Sequence, residues 1–459
     1  MKRWIGWLSV LLLIGIGATG CVRDAGEDSA FEYTITDGEA ELTAYTGTQE
    51  QVEIPDSYEG HKVTSIGARA FYNCTNLKTV TIPDSVIRIG EEAFALCSSL
   101  VAFQVGEGSL TYAAVDGVLF SKDQNTLVSF PEGKEGDYTV PTGVKTLGQQ
   151  AFSRCHGLTA VTLPASVTTI KAAAFYDCTA LTALTIPDGV STIGPTAFCR
   201  STALKEVTLP AGLTVLETGL FSDCQALERI NIPAGVTEIK EAVFWNCTSL
   251  TAFETAAGNT VFDAVDGVLL SKDHTRLIRY PAGKTGDTYT LPDSVKELAE
   301  EAFSYNIHLT SVRLPGRLNT VSNTVFYQCT ALEQVVLDEG IVSIGEKAFG
   351  SCTALMNLTL PSTLTTIGES AFNNNSALTT VTFPKGLQTI GEGAFSYCSS
   401  LTNIMIPAGV TTIGVTAFGG NENMRLYGEE GSEAERYAAT EDIPFNDNDI
   451  DVTTTTTAA

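Results

Sequence analysis

The chain has 459 residues, of which 44% are apolar and 17% charged, and its formal net charge is −26 at pH 7. The apolar fraction is sufficient for a buried core. An acidic balance of this size repels nucleic-acid phosphates and anionic lipid head groups, so we expect no nucleic-acid partner and no electrostatic docking on a membrane.

Residues 1–21 have the pattern of a targeting segment. Lys2 and Arg3 precede a short apolar run that ends near Ile16, and small residues then lead to Cys21. The pattern resembles a bacterial lipoprotein signal, in which Cys21 would be lipidated, although Ala18 stands where Leu is usual. A plain secretory signal and a retained membrane anchor are the alternatives. Since a residue carrying more than one acyl chain anchors stably, we expect export and lipid attachment to the outer face of a bacterial cell membrane.

Residues 22–30 form a short polar spacer. From Phe31 onward, apolar and polar residues alternate on both sides of Asp37-Gly38, which predicts a β-hairpin. Terminal units of a repeat array need a cover for their open face, so this hairpin is interpreted as the N-terminal cap.

A period of 23 residues organises the chain from residue 31 to residue 427. It is marked by thirteen phenylalanines: Phe71, Phe94, Phe152, Phe175, Phe198, Phe221, Phe244, Phe303, Phe326, Phe349, Phe372, Phe395 and Phe418. A fixed period in this range indicates stacked units and not a globular core. We therefore expect one solenoid in which the marker rings form an inner aromatic column.

The segment Cys178–Phe198, CTALTALTIPDGVSTIGPTAF, represents one rung. Leu184 and Ile186 are two residues apart, which is the spacing of a strand, and Pro187 ends that strand. A second extended piece follows at Val190–Ile193, and a single helical or 3₁₀ turn is expected near Pro195–Phe198. Stacking such rungs about 4.8 Å apart would let each strand pair with the next.

A glycine often stands four residues before the marker ring. A positive φ would explain it, but the same column holds Lys171 and Glu217. We therefore expect close packing and not a compulsory left-handed conformation.

Two longer intervals interrupt the period, at about 104–141 and 254–292. Each holds a copy of one motif, beginning at Ala114-Val115-Asp116-Gly117 and, 150 residues later, at Ala264-Val265-Asp266-Gly267. Each insertion is predicted to be a β-hairpin; in the first, Val118–Ser121 and Leu127–Phe130 are the strands. The insertions are either enlarged structural rungs or protruding contact surfaces.

The pattern decays after Phe418. Residues 428–446 predict a C-terminal cap with a short helix from about Ser432 to Ala439, in which Ser432 and Glu435 would form a capping box. Residues 447–459 are Thr-rich and predict a disordered tail.

Nine of the 11 cysteines lie three residues after a marker ring, and Ser201, Asn306, Asn375 and Asn421 hold the other four such positions. These side chains share the capacity for hydrogen bonding, so we expect a buried ladder that binds loop amides. A line of side chains is unlike the converging ligands of a zinc site, and parallel spacing disfavours disulfides between successive rungs. Cys155-His156 is adjacent in sequence only, which does not make a catalytic pair. We expect no enzyme, no cofactor and no metal.

The unit LxxVxIPxxVxxIGxxAFxxC, seen between Cys178 and Phe198, resembles the BspA-type leucine-rich repeat of bacterial surface proteins. The DGVLFSKD motif, the ITDG opening and the ERYA–IPF closing segment resemble that family too. The resemblance implies a mainly β leucine-rich-repeat solenoid, single, curved and right-handed, with its main sheet on the concave face. It also implies adhesion or binding of partner proteins. Leu220, Val243 and Val325 replace the usual Ala, and Asp338 replaces the usual Pro.

The concave face would carry the residues that flank each inward apolar side chain. It is small, polar and Thr-rich, which strand propensity alone explains, and its most individual residues are Arg229, Glu254 and Arg313. We predict contact there with an extracellular protein ligand, by a monomeric surface-anchored scaffold. A glycan- or cell-wall-binding module is the alternative, and exposed aromatic platforms would favour it.

Overall fold

The structure is a computed structural model that describes residues 30–446. The predicted signal with Cys21, the spacer before residue 30 and the Thr-rich tail from residue 447 lie outside the described residues. Contacts divide the chain into two compact units. The first contains the residues up to Thr182 with Thr192–Ser201, and the second contains Ala183–Ser191 with the residues from Thr202.

The regular elements described in the first unit are all short strands, joined by turns. They are β1 Phe31–Thr36, β2 Glu39–Tyr45, β3 Gln51–Glu53, β4 Ser57–Tyr58, β5 His61–Ile66, β6 Thr79–Ile82, β7 Arg88–Ile89, β8 Ala102–Val105, β9 Tyr112–Val115, β10 Val118–Ser121, β11 Thr126–Ser129, β12 Gly136–Thr139, β13 Thr146–Leu147, β14 Leu158–Thr162, β15 Thr169–Ile170 and β17 Thr192–Ile193. They form sheets in the orders β1-β2-β5-β4, with β7 also paired to β5, then β3-β6-β8, β12-β14 and β17-β15-β13-β11-β10-β9.

The second unit repeats this construction. Its strands are β16 Ala183–Thr185, β18 Glu206–Thr208, β19 Val215–Leu216, β20 Arg229–Ile232, β21 Glu238–Ile239, β22 Ala252–Thr255, β23 Phe262–Val265, β24 Val268–Ser271, β25 Arg276–Arg279, β26 Glu297–Leu298, β27 Ser311–Leu314, β28 Thr320–Val321, β29 Gln334–Leu337, β30 Ser343–Ile344, β31 Asn357–Thr359, β32 Thr366–Ile367, β33 Thr389–Ile390, β34 Asn403–Met405, β35 Thr412–Ile413, β36 Arg425–Tyr427 and β37 Phe445–Asn446. A 3₁₀ helix at Gly316–Leu318 and the helix α1, Glu433–Thr440, are its helical elements among the described residues.

Successive rungs pair in parallel and in register. Thr366 on β32 lies beside Thr389 on β33, which lies beside Thr412 on β35, at the 23-residue step of the sequence. Most rungs contribute one strand of three to five residues before the proline position and one of two residues after it, but the rung that ends at Pro384 has no strand before its proline. The chain is therefore a mainly β leucine-rich-repeat solenoid, as the period predicts.

The marker phenylalanines form the predicted column inside each unit. In the second unit, Phe326 and Phe349 have ring centroids 5.2 Å apart at an interplanar angle of 1°, and Phe349 and Phe372 follow at 5.3 Å and 5°. The ring of Phe349 is fully buried. Each such ring contributes roughly 1.5–3 kcal/mol by burial, so the column is a principal source of stability.

Four further rings extend the column, and the period does not reveal them. Tyr45 of the N-terminal cap stacks on Phe71 at 5.2 Å, and Tyr437 of α1 lies edge-on to Phe418 at 6.0 Å. At the insertions, Phe130 stacks against Phe152 and Tyr280 against Phe303. Each cap therefore adds a tyrosine to the column, and in the N-terminal cap Phe31 packs on Tyr45 in turn.

The segment around each marker ring is a hydrogen-bonded turn and not the expected helical or 3₁₀ turn. The residues two before and two after the ring adopt left-handed conformations, for example Ala173 with φ 54° and Asp177 with φ 60° on either side of Phe175. The next rung fixes this geometry, because the amide of Phe175 donates to the carbonyl of Ala197 at 2.7 Å and that of Asp177 to Cys199 at 2.8 Å.

The glycines four residues before the ring confirm the close-packing interpretation. Their φ angles are not in the left-handed region. A Cβ atom on Gly194 would lie 2.4 Å from the amide nitrogen of Ala172, and one on Gly414 would lie 2.3 Å from that of Glu392. The backbones of neighbouring turns are therefore in direct contact at these glycines, with no room for a side chain between them.

The cysteine ladder is buried as predicted. Its thiols donate to backbone carbonyl groups, and the backbone of the preceding ladder residue also bonds to the sulfur, as that of Asn306 does at Cys329. The Sγ atoms of Cys178, Cys329 and Cys352 lie 3.0–3.1 Å from the carbonyl oxygens of Phe152, Phe303 and Phe326, the marker rings one rung earlier. Burial raises the pKa of the Cys329 thiol to about 12, which keeps its proton available for donation. Ser201 and Asn375 donate to the equivalent carbonyls. Ser201 Oγ also accepts from the amide of Cys178 at 3.2 Å, and Asn306 Oδ1 accepts from the amides of His308 and Leu309.

The insertions are enlarged rungs continuous with the sheets. In the first, β10 pairs with β9 across the turn Asp116-Gly117 and with β11 on its other side, and β11 then joins the parallel series through β13. Leu119 and Phe120 are buried. This three-stranded arrangement supports the structural interpretation over a protruding hairpin.

The two caps contain the hairpin and the helix that the sequence predicts. The hairpin β1–β2 turns at Asp37-Gly38, both with positive φ. At the other end α1 begins after Ser432, but the expected capping box is wrong: the Ser432 hydroxyl has no hydrogen-bond partner, and Glu435 accepts from the amide of Gly431. The last strand is β37, Phe445–Asn446.

Replacing Phe349 by Ala is expected to lower the free energy of unfolding by about 3–5 kcal/mol, because it removes a buried ring between two stacked neighbours. Chemical denaturation measures the change. Val415→Ala, at a side chain that is 65% exposed, is the matched control and should change stability by less than about 0.5 kcal/mol. Equal effects of the two substitutions would contradict the column.

Cys352→Val is expected to destabilise the chain by about 0.5–1.5 kcal/mol, because the buried carbonyl of Phe326 loses one of its two donors and keeps only the amide of Cys329. Cys352→Ser keeps a donor, as Ser201 does naturally, and should retain more stability. The same denaturation experiment compares the two. If the valine variant is as stable as the serine variant, the ladder side chains stabilise the chain by packing alone and not by hydrogen bonding.

Candidate interaction face

The strands that precede each rung proline present one side to solvent, here called the long-strand face. In the second unit it is formed by β16, β18, β20, β22, β27, β29 and β31. Alternation along the strand produces it, because Val207 and Ile230 point inward while their neighbours Glu206 and Arg229 are exposed. The face therefore carries the residues that flank each inward side chain, as the sequence predicts.

Arg229 and Glu254 lie together on this face. Arg229 is on β20 and Glu254 on the neighbouring β22, and Arg229 Nη1 lies 3.3 Å from Glu254 Oε1. Both side chains are more than half exposed. The two predicted residues thus form one ion pair that remains open to solvent.

A depression of about 530 Å³ surrounds this pair. Its charged and polar lining comes from three adjacent strands and the residues just before them, and comprises Lys205, Glu206, Thr208, Glu228, Arg229, Asn231 and Glu254. Cations and anions alternate in it. Such an arrangement suits a partner whose surface is of mixed charge.

Arg313 makes a separate pair on β27. Its Nη2 lies 3.0 Å from Asp338 Oδ1, and its Nε donates to Asp338 Oδ2 at 3.1 Å. The guanidinium is 73% exposed, so its outer edge stays available although the carboxylate holds its orientation.

Asp338 is the residue that sequence reasoning missed as part of the face. It stands where other rungs have the strand-ending proline, and it lies 25 residues after Arg313, as Glu254 lies 25 after Arg229. A separation of one period plus two residues places a side chain on the next strand and the same face. That spacing is the signal that could have found both partners.

These pairs contribute little to folding. Exposed ion pairs are worth about 0–1 kcal/mol, since solvent screens them and two long side chains must be ordered. The charges are therefore free to be used in recognition, and changing them should not unfold the chain.

The buried thiols are unsuited to nucleophilic catalysis. Burial raises the pKa of Cys97 and Cys398 to about 12, so these groups are thiols at neutral pH. Cys155 is buried and His156 is exposed, with His156 Nδ1 at 3.0 Å from Thr179 Oγ1. Within residues 30–446, no group of three or more His, Cys, Asp or Glu side chains is placed to hold a metal ion.

No helix in the part of the chain that the structure describes is long and apolar enough to cross a membrane.

Several solved structures resemble the chain. A leucine-rich cell surface protein from Faecalibacterium prausnitzii is 28% identical, with a TM-score of 0.53, over 90% of this chain and 96% of that one. A leucine-rich repeat protein from Bacteroides ovatus is 27% identical, with a TM-score of 0.46, over 91% and 98%. The pneumococcal vaccine antigen PcpA is 20% identical, with a TM-score of 0.48, over 92% and 98%. No curated protein matches the sequence.

The family model described as "BspA type Leucine rich repeat region (6 copies)" matches residues 43–134, 128–251, 286–374 and 319–426. These matches cover most of the chain and coincide with the stacked rungs. The chain therefore belongs to the BspA-type leucine-rich repeat family.

Proposed function

We propose that this protein is a cell-surface-anchored scaffold for protein–protein interaction or adhesion, and that it carries out no catalysis. The observation that carries the proposal is the set of exposed, oriented charges on the long-strand face: Arg229, Glu254 and Arg313. The description of the F. prausnitzii protein as a cell surface protein supports the location. The ligand would be an extracellular protein bound by a monomer.

The exposed arginines are suited to recognition of another protein. Arginine is enriched at the centres of protein interfaces, and complementary charges fix register and raise association rates more than they add affinity. Arg313 is pre-oriented by two contacts to Asp338, which reduces the entropy lost when it binds a partner. An acidic or mixed-charge protein surface is the expected ligand chemistry.

Charge reversal at Arg229 or Arg313 is expected to weaken capture of an extracellular protein by about tenfold or more, the effect of losing one charged contact of about 1.4 kcal/mol. Biolayer interferometry of residues 22–459 against a panel of purified host extracellular proteins and glycans measures it. Lys171→Glu is the matched control, because Lys171 is exposed in the glycine column and off the face. Unchanged capture by both arginine variants would reject this site.

Lipid anchoring through Cys21 is tested separately. Expression of the full chain in a bacterial host should place it in the membrane fraction, and Cys21→Ser should release it to the medium or leave it as an uncleaved precursor. Cys199→Ser, at a cysteine outside the ladder register, controls for loss of a cysteine. If Cys21→Ser leaves fractionation and mature mass unchanged, the signal is of the plain secretory kind or is retained.

Binding of glycans or cell wall is the second candidate function. Its favouring observation is a cluster of half-buried rings, in which Trp245 stacks on Tyr327 at 5.4 Å and meets Tyr305 edge-on at 4.9 Å. Glycan capture that is lost in Trp245→Ala and kept in the arginine variants would support this function over the first.

A further inference from the structure

The two insertions differ in how they fill the same place. Each interrupts the ring column, and at each the last residue of the inner insertion strand faces the gap. In the second insertion that residue is Arg279 on β25, opposite Leu269; in the first it is Ser129 on β11, opposite Leu119, in the same register. The duplication thus allows the same position, the end of the inner insertion strand, to be compared with an arginine (Arg279) and with a serine (Ser129).

Arg279 occupies its gap as a buried cation. The residue is 95% buried. Nη2 donates to the carbonyl oxygen of Phe244 at 2.9 Å, and Nη1 contacts the backbone carbonyl and carboxylate of Glu301. In ordinary rungs a ladder cysteine supplies the donor to the marker-ring carbonyl. At this insertion the guanidinium of Arg279 is the donor to the carbonyl of the marker residue Phe244.

The first insertion has the same carbonyl and no such donor. Ser129 is too short to reach across, and among the hydrogen bonds of the described residues the carbonyl oxygen of Phe94 receives none. Gln150 stands in the place of Glu301. A cleft of about 270 Å³ remains, lined by Phe94, Ser129, Glu132, Ser153, Arg154 and Glu92 among others.

Three carboxylates line the cleft, those of Glu91, Glu92 and Glu132, against one cation, Arg154, whose Nη2 lies 3.9 Å from Glu92 Oε1. Glu132 Oε1 accepts from the amide of Leu96 at 3.0 Å, which fixes the carboxylate at the wall.

The hydroxyl of Ser153, whose side chain is 92% buried, has no hydrogen-bond partner. The corresponding Ser304 hydroxyl also lacks one, so Ser153 does not distinguish the copies. The first insertion differs in its open cleft, in Glu132 where the second copy has Ala282, and in Arg154 where it has Tyr305.

We propose that the cleft beside the first insertion binds a guanidinium group, free or on an arginine side chain, in the place that Arg279 occupies in the second. A volume of 270 Å³ is below the roughly 300–1,000 Å³ of drug-sized sites, so it fits one functional group or side chain. The planar donors of the guanidinium match a carboxylate and a carbonyl at once. The site is separate from the long-strand face, so its test does not depend on the proposed function.

The charge state of Glu132 sets the pH dependence. The pKa of Glu132 is raised to about 7, chiefly by burial; the Leu96 amide and Arg154 act to lower it, and the nearby Asp177 and Glu92 act to raise it. Glu91, which also lines the cleft, accepts from Gln149. Affinity for the cation should therefore rise between pH 6 and pH 8, as Glu132 loses its proton.

Isothermal titration of the full chain with ethylguanidinium, and with propylammonium as the matched cation without a planar fork, tests the proposal. Wild type should bind ethylguanidinium and prefer it to propylammonium. Glu132→Gln keeps the acceptor for Leu96 and should lose about tenfold or more in affinity. Ser129→Arg, which supplies the guanidinium from within, should abolish binding.

A blocked Gly-Arg-Gly peptide distinguishes the sources. Tighter binding of the peptide than of ethylguanidinium assigns a partner's arginine side chain, and the reverse order assigns a small molecule. Absence of binding by wild type, equal binding of the two cations, or undiminished binding by Glu132→Gln or by folded Ser129→Arg would overturn the proposal. If Ser129→Arg does not fold, the Glu132→Gln result and the pH series decide.

Discussion

The contact between one rung and the next is the interaction on which this structure depends. A single 23-residue unit has no second layer to cover its apolar side chains, so each marker ring is buried only when the rungs before and after it stack on its two sides. The same contact satisfies the polar groups, because strands pair in parallel, turns donate to the turns above, and ladder thiols reach the carbonyls below. The stacking of one rung on the next thus satisfies two requirements at once: it buries the apolar side chains and it pairs the polar backbone groups.

That dependence explains where the repeat departs from its pattern. The ends have no further rung, so a hairpin with Tyr45 and a helix with Tyr437 cover the last rings. Each insertion interrupts the column, so a ring of its own, Phe130 or Tyr280, restarts it. The gap left at the restart is closed by an arginine in one copy and open in the other. The two candidate sites, the long-strand face and the cleft beside the first insertion, both lie where stacking leaves side chains exposed to solvent.

Much of the fold could be predicted from the sequence because its period repeats one set of physical requirements. The rings, the strand alternation, the two caps and the buried ladder all followed from spacing. The turn conformation did not, since residues as different as Ala173, Glu92 and Arg69 occupy the left-handed positions and contacts from the next rung impose it. The exposure of Arg229 and Arg313 was predictable from alternation, whereas the cleft at Ser129 required knowing which residue of an irregular insertion faces the gap.

The central claim, that rungs cover one another in a regular stack, is tested most directly by removing one of them. Deleting residues 350–372 excises one period and joins Phe349 to Asn373, so the column, ladder and sheets keep their register. The account predicts a folded chain with the circular dichroism and cooperative unfolding of the parent, whereas deleting only residues 350–361 should abolish that folding. Loss of structure on removal of the whole period, or equal tolerance of both deletions, would contradict it.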